Sequence, residues 1–211
     1  MGRVLKSPKK MMHILCEGEK TEPMYLLGYI ENFAKDKAKI INVPDVKKNT
    51  PVQLVDEAIK LKDSNVTSPD DEIWVVYDRE SISKYPHRLH AQAWDKATAN
   101  KINIALSNIC FELWILQHFE YTDSPFSCFD DLLNNSKLKD HLKNIGIHNY
   151  HKGDPHFFDK IKGGVSYARK RAAALNRSSL AVAGSSGSQP FVLSSYVGVH
   201  LLLDAIDNFI P

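Results

Sequence analysis

Residues 73–77, Ile-Trp-Val-Val-Tyr, carry the clearest strand pattern of the chain, and they run directly into Asp78-Arg79-Glu80. The run is short, apolar and rich in β-branched residues, which is typical of a strand buried on both faces of a parallel sheet. Such a strand needs helices packed on both of its sides. The stretch therefore predicts an α/β fold.

The sequence on either side repeats this pattern in alternation with helical periodicity. Three further strands are predicted at His13–Cys16, Ile40–Val46 and Ile102–Leu106. Helices are predicted at 23–37, Thr50–Asp63, Arg88–Asn100 and Cys110–Phe119. Because helical crossovers join the strands, we expect a mostly parallel sheet in a Rossmann-like, three-layer α/β/α arrangement.

The second half has a different character. Helices are predicted at 130–144, 157–176 and 197–209, a glycine- and serine-rich loop at 180–192, and no strand. We therefore divide the chain into a basic leader at 1–10, an α/β domain at 11–125, and a mainly helical C-terminal extension at 126–211 that packs on it.

The amino-acid composition excludes some classes of function for this chain. The 211 residues include 27 Lys and Arg against 25 Asp and Glu, so any nucleic-acid site must come from local clustering of charge. Cys16, Cys110 and Cys128 form no CxxC pair, which argues against structural zinc and predicts free thiols. Because no apolar stretch is long enough for a membrane span or a signal peptide, we expect a cytoplasmic protein with no membrane contact.

Acidic and polar side chains follow the predicted strands. Glu17 follows the first strand, Asp78 and Glu80 follow the third, and Asn108 follows the fourth. Ligands of parallel sheets bind at this edge, and Mg²⁺ relieves repulsion between converging carboxylates. Residues i and i+2 of an extended segment point the same way, so Asp78 and Glu80 could face one metal. The alternative is a helix cap or a solvated loop.

Residues 16–22, Cys-Glu-Gly-Glu-Lys-Thr-Glu, form a predicted strand-to-helix turn. Gly18 would let the backbone pass close to a ligand, and Thr21 and Glu22 begin a helix whose N-terminus suits phosphate. The segment is neither a Walker A loop nor a GxGxxG loop. A simple N-cap with an acidic first turn would explain Thr21 and Glu22 but not Glu17.

Two further acidic or polar features attract attention. Glu112 lies in the apolar run CFELWILQHF, where a carboxylate is costly unless it is paired or binds a ligand; alternatively it faces solvent or pairs with a nearby Lys or Arg. His148, His151 and His156 crowd one segment, but the glycine and proline between them break any helical face. We interpret that segment as a substrate-facing polar loop rather than a metal site.

Cations cluster in the second half. They are Lys160, Lys162, Arg169, Lys170, Arg171 and Arg177. Such residues near a Mg²⁺ site suit phosphate contacts, and we expect Arg169 and Arg171 to grip substrate. The alternative is a solvated helix face.

Three segments together resemble the RloB family: CEGEKTEPMYL at 16–26, YDRE at 77–80 and SNICFELWILQHF at 107–119. The resemblance implies a Toprim-type catalytic domain at 11–125, the metal-dependent fold that topoisomerases, primases and some nucleases share. It implies that Glu17 is the general acid or base and that Asp78 and Glu80 hold Mg²⁺, or Mn²⁺, together with it. The family usually has Asp-x-Asp where Glu80 stands here, and Asn-Pro at Asn108-Ile109. Nine residues are expected to support the site or contact substrate: Gly18, Lys20, Thr21, Glu22, Arg79, Asn108, Glu112, Arg169 and Arg171.

The resemblance also implies a role. It is that of a Mg²⁺-dependent nuclease in bacterial anti-phage defence by abortive infection, working with an ATPase partner of the ABC or AAA type. The substrate would be DNA or RNA, tRNA included, and a homo-oligomer is left open. The alternative is a non-catalytic module of the same system that binds a nucleotide or a partner. A primase- or topoisomerase-like enzyme would need further domains.

Overall fold

A five-stranded sheet organises the computed structural model, which describes residues 9–47, 50–184 and 189–210. The strands are β1 (Met12–Cys16), β2 (Ile41–Asn42), β3 (Glu72–Asp78), β4 (Asn103–Asn108) and β5 (Tyr196–Val197). Their order in the sheet is β2-β1-β3-β4-β5. The first four are parallel and β5 is antiparallel to β4, so the predicted α/β class with a mostly parallel sheet is confirmed.

Helices cover both faces of the sheet. They are α1 (Thr21–Phe33), α2 (Pro51–Lys62), α3 (His87–Ala99), α4 (Phe111–Gln117), α5 (Phe129–Asn135), α6 (Leu138–Asn144), α7 (Phe157–Ile161), α8 (Val165–Ala183) and α9 (Val199–Asn208). In β3, Ile73, Val75 and Tyr77 pack with α2 and α3, because alternate residues of a strand point to opposite faces. Trp74 and Val76 point into the larger core, which contains α1, α4, α8 and α9.

The register of the sheet brings the predicted strand ends together. β3 pairs with β1 on one side and with β4 on the other, with Cys16 opposite Val76 and Asp78 opposite Ser107. The residue after β1, Glu17, donates its backbone N–H to the carbonyl of Val76 at 2.9 Å. Glu17 and Asp78 therefore lie side by side at the carboxyl edge.

The second half departs from the sequence-based expectations in three places. The predicted helix 130–144 is two helices, because Ser136 adopts an extended conformation between α5 and α6. The predicted helix 157–176 is interrupted by a 3₁₀ turn at Lys162–Gly164. Beyond it α8 continues to Ala183, where Gly184 has a positive φ of 77°, so the predicted loop at 180–192 begins too early.

The strand β5 was not expected. It is only two residues long, and Asn176 on α8 holds it: its side chain accepts from the Val197 N–H and donates to the Val197 carbonyl, both at 2.9 Å. The periodicity of the sequence does not predict such a contact between distant residues. The C-terminal part is thus helical, as predicted, and also adds an edge strand to the sheet.

Several local expectations can be compared with the structure. Thr50 caps α2 by accepting from the Gln53 N–H, as the sequence predicted. All three cysteines are free thiols. Among the described residues, no helix combines the length and the apolar character that crossing a membrane requires. Residues 1–8 of the predicted leader and 185–188 of the predicted loop lie outside the described residues.

Candidate active site at the carboxyl edge of the sheet

A cleft of about 540 Å³ opens where β1 and β3 end. Its lining residues are Glu17, Gly18, Glu19, Lys20, Thr21, Glu22, Asp78, Glu80, Lys84, Tyr85 and Lys152. We call it the carboxylate cleft. The parallel register of β1 and β3 places its acids there, as expected for the carboxyl ends of parallel strands.

Glu17 is held beside Asp78 by hydrogen bonds. Its Oε2 accepts from the Asp78 N–H at 3.4 Å, and its carboxylate also accepts from the Tyr85 hydroxyl. Burial raises the pKa of Glu17 to about 7, although these two hydrogen bonds oppose the shift. A carboxyl with this pKa changes its protonation near neutral pH, which suits a general acid or base.

Asp78 ends β3 and faces the same cleft. Its pKa lies well above the ordinary value, first because burial disfavours the charged form, and then because four other carboxylates surround it. Those carboxylates are Glu22, Glu112, Glu17 and Glu80. Asp78 is therefore the acid at which the negative charges of the site converge.

Glu80 reaches the cleft by a different route from the one that the sequence suggested. Its φ is +58°, so the backbone after β3 is not extended and the argument from alternation does not apply. Its N–H donates to the carbonyl of Ile109 at 2.9 Å, which ties this turn to the end of β4. The Glu80 carboxylate pairs with Lys84 at 2.7 Å. Both Asp78 and Glu80 nevertheless line the cleft.

Gly18 makes room for a buried carboxylate. Glu22 stands in the first turn of α1, and its carboxylate accepts from the N–H groups of Gly18 and of Glu22 itself. A Cβ at position 18 would lie 2.1 Å from Oε2 of Glu22, so a side chain there would displace it. Burial, and then the charge of Glu112, raise the pKa of Glu22.

Glu112 is fully buried in the first turn of α4, beside the cleft. Its Oε1 accepts from the Tyr150 hydroxyl at 3.1 Å and lies 3.2 Å from Nζ of Lys152. Its Oε2 is buried and has no hydrogen-bond partner among the described residues. Glu112 is not among the lining residues of the cleft, and Lys152, which is, connects it to the site.

Lys152 is the residue of the histidine-rich segment that enters the cleft. Burial lowers the pKa of its ammonium group, but the carboxylates of Glu112, Asp78 and Glu22 outweigh this and raise it. His151 lines a small neighbouring pocket over α1 instead. Sequence reasoning singled out the histidines and missed the cation between them.

Two other residues that sequence reasoning missed are Lys84 and Tyr85. They lie in a short segment between β3 and α3 that has no apolar periodicity, so the sequence pattern gave no signal for them. The motif did mark the neighbourhood, because Lys84 lies four residues after Glu80 and pairs with it. Lys20 and Thr21, which were expected, line the cleft.

Arg79 and Asn108, in contrast, anchor a chain segment outside the cleft. The Arg79 Nε donates to the carbonyl of Phe191 at 3.2 Å, and the Asn108 Nδ2 donates to that of Leu193 at 2.6 Å. The peptide bond between Asn108 and Ile109 is cis. Both side chains therefore hold the 190–193 segment against the end of β4.

Arg169 and Arg171 are not brought to the carboxylate cleft either. Arg171 donates to the carbonyl of Gln117 at 2.8 Å. Arg169 donates to Asp207 at 2.7 Å and to the Tyr29 hydroxyl at 2.8 Å, in a groove of its own. Both guanidinium groups are engaged within the protein.

The donor set of the cleft has the chemistry that Mg²⁺ prefers, since five carboxylate groups line it. Within the described ranges, however, no three His, Cys, Asp or Glu side chains stand ready to hold a metal ion. The ion pair of Glu80 with Lys84 occupies one of the expected ligands. Holding a metal at this site would therefore require side chains to turn.

A comparison of the sequence with models of known protein families identifies the family of the chain. The family model described as RloB-like protein matches residues 12–206. The chain belongs to the RloB-like family. The match runs from β1 into α9, so the RloB-like unit includes the C-terminal helices and β5 as well as the parallel sheet. No significant match was found among curated proteins or among solved structures.

Replacing Glu17 by Gln is expected to increase stability at alkaline pH. The pKa of Glu17 in the folded state, about 7, exceeds its ordinary value of 4.5, so folded wild type loses stability as pH rises through that window. Glutamine cannot ionise. Urea unfolding in EDTA at pH 8 should give a free energy of unfolding about 1–3 kcal/mol higher for Glu17→Gln than for wild type. At pH 5.5 the difference should be less than half as large. The exposed Glu19→Gln is the control. A Glu17→Gln protein no more stable than wild type at pH 8 contradicts the assignment.

Replacing Lys152 by Met should destabilise the fold, because it leaves the buried Glu112 carboxylate without its cation. We expect a loss of about 1–3 kcal/mol in unfolding free energy at pH 8, below the usual cost of breaking a buried pair because half of the Lys152 side chain is exposed. Glu112→Gln in the same chain should recover most of the loss. Lys60→Met, which breaks an exposed pair with Glu57, should cost about 0.5 kcal/mol or less. If the effects of Lys152→Met and Glu112→Gln on the free energy of unfolding simply add in the double variant, the two residues are not coupled.

Proposed function

We propose that the protein is a Mg²⁺-dependent nuclease of the Toprim type, which hydrolyses phosphodiester bonds in the carboxylate cleft. The observation that carries the proposal is the convergence of Glu17 and Asp78 at adjacent strand ends, with the pKa of each raised. Carboxylates held so close without a matching cation are the arrangement that a hard divalent ion stabilises. Mn²⁺ would serve in the same way.

The charge of the cleft supports the need for a cation. Five carboxylates line it against three ammonium groups, those of Lys20, Lys84 and Lys152. A phosphodiester is itself an anion, so it would be repelled by this lining. A divalent ion between the carboxylates neutralises the excess negative charge of the lining and allows phosphate to enter.

Each residue of the cleft then has a task. Glu17, Asp78 and Glu80 would hold the ion, which when bound would polarise the scissile phosphate and activate water. Tyr85 orients the Glu17 carboxylate by its hydrogen bond, and the Glu17 carboxylate would move the proton. Lys84 would move from Glu80 to a phosphate oxygen, since its ion pair is partly exposed and exchangeable.

The biological setting that we propose rests on the family resemblance. The nuclease acts in the cytoplasm in anti-phage defence, with an ATPase partner of the ABC or AAA type. Its substrate is DNA or RNA, tRNA included.

A non-catalytic module that binds a nucleotide or a partner is the second candidate. It is favoured by one observation: Glu80 replaces the usual aspartate and its carboxylate is paired with Lys84, so the ligand set is incomplete as it stands. Such a module would bind at the same cleft but would leave phosphodiester bonds intact.

Incubation with Mg²⁺ or Mn²⁺ and a panel of plasmid, single-stranded DNA and total RNA tests the proposal. We expect cleavage by wild type that EDTA abolishes, and at least a 100-fold lower rate for Glu17→Gln and for Asp78→Asn, since each removes a metal ligand or the proton-transfer group. Glu57→Gln makes the same charge change on α2 and should cleave like wild type.

Two results would contradict the nuclease. One is metal-dependent cleavage that persists in Asp78→Asn, which would point to a contaminant. The other is binding of nucleotide or nucleic acid without cleavage under every metal condition, which would favour the regulatory module.

A further inference from the structure

A second groove, of about 810 Å³, lies toward the opposite end of α1 from the carboxylate cleft. Thr21 and Glu22, at the start of α1, line the cleft, whereas Tyr29 and Phe33, in its last turns, line the groove. The 3₁₀ turn before α8, the first turns of α8 and Asp207 of α9 complete it. We call it the Phe33 groove.

An aromatic ring is presented to solvent in this groove. The Phe33 side chain is 52% exposed although phenylalanine is usually buried. Its ring stacks on the buried Tyr29 at 5.3 Å between centroids and 29° between planes, and it meets the edge of Phe158 at 6.1 Å. The ring is thus supported from within the protein, which makes it a fixed surface on which a planar group can stack.

The groove also carries positive charge. Lys162, Arg169 and Lys170 line it against a single acid, Asp207. Arg169 pairs with that acid at 2.7 Å and with Asp204 at 3.7 Å, and it lies 5.5 Å from the Tyr29 ring, so it belongs to the floor. Lys170 is exposed, and Lys162 bonds Asn32 and Asp159 at the surface, where such pairs exchange readily.

We propose that the Phe33 groove binds single-stranded nucleic acid, with a base stacked on Phe33 and neighbouring phosphates on Lys162 and Lys170. An aromatic platform beside a cationic rim is how proteins hold single strands, because every unpaired base has a face to stack and every nucleotide has a phosphate. A duplex offers no free base face to Phe33. The groove therefore favours a substrate with unpaired nucleotides.

The position of the groove relates it to the cleft. Phe33 stands eleven residues after Glu22 on α1, which corresponds to about 16 Å along the helix. About five stacked nucleotides span that distance. This proposal rests on the proposed function in that a strand held at Phe33 would extend toward the carboxylate cleft. It gives the cations of the second half a binding role, assigned to Lys162 and Lys170 rather than to Arg169 and Arg171.

Fluorescence anisotropy of labelled 12-nucleotide RNA and DNA, in EDTA and at several salt concentrations, tests the groove. Phe33→Ala should weaken binding at least about fivefold. Lys170→Ala should weaken it and lower the slope of log K against log salt by about 0.7. Leu27→Ala, equally exposed on the same helix, and Lys60→Ala, on α2, should bind like wild type. The same sequence as a duplex should bind more weakly than the single strand.

The proposal is overturned if Phe33→Ala binds like Leu27→Ala, or if duplex binds as tightly as single strand. It is also overturned if an oligoglutamate peptide competes as well as the oligonucleotide, which would make the groove a protein-docking surface. Asp78→Asn separates the two proposals, because it should retain this binding in EDTA while losing cleavage. Groove-dependent binding without cleavage would refute the nuclease alone. Cleavage with KM unchanged in Phe33→Ala and Lys170→Ala would refute the groove alone.

Discussion

Carboxylates withdrawn from water into one small volume destabilise one another, and this constraint governs the carboxyl edge of the sheet. Asp78 has four acidic neighbours, two of which, Glu22 and Glu112, are buried. Each of those two stands in the first turn of a helix, where the helix N–H groups favour negative charge. Lys152 supplies a counter-charge from a distant loop. These local features thus all reduce the repulsion between the carboxylates that are gathered at this edge.

That constraint also explains why apparently unrelated segments meet at the cleft. Gly18 lacks a side chain because the Glu22 carboxylate needs its space. The histidine-rich segment packs over α1, with Gly153 against Lys20, and so delivers Lys152 to Glu112. Such an arrangement costs stability and contributes nothing to the core. Sites of this kind are usually retained for function, which is why we assign the chemistry here.

The sequence was most informative where one local pattern determines the outcome. The apolar run at 73–77 predicted a doubly buried strand, and the acids at the ends of β1 and β3 could be placed together because parallel strands share an edge. Glu112 was identifiable as a carboxylate in an apolar run. Features that depend on contacts between distant residues could not be predicted, such as β5, which Asn176 holds, and Lys152, which Glu112 attracts.

The two arginines of α8 also show that contacts between distant residues cannot be predicted from the sequence. The clustering of cations in the second half led us to expect that Arg169 and Arg171 grip substrate, but a guanidinium group donates several hydrogen bonds and both find acceptors within the fold. The ammonium groups of Lys162 and Lys170 remain on the rim of the Phe33 groove. Which cations are available to a ligand follows from packing, and sequence periodicity does not contain that information.

The central claim is that the carboxylate cleft is built for a divalent cation. It is tested most directly by calorimetric titration of Mg²⁺ or Mn²⁺ at pH 7 in two buffers of different ionisation enthalpy. Because the pKa values of Glu17 and Asp78 are raised, binding should release protons, and Asp78→Asn should abolish the binding and with it the release. No binding, or binding with no proton release, would contradict the account.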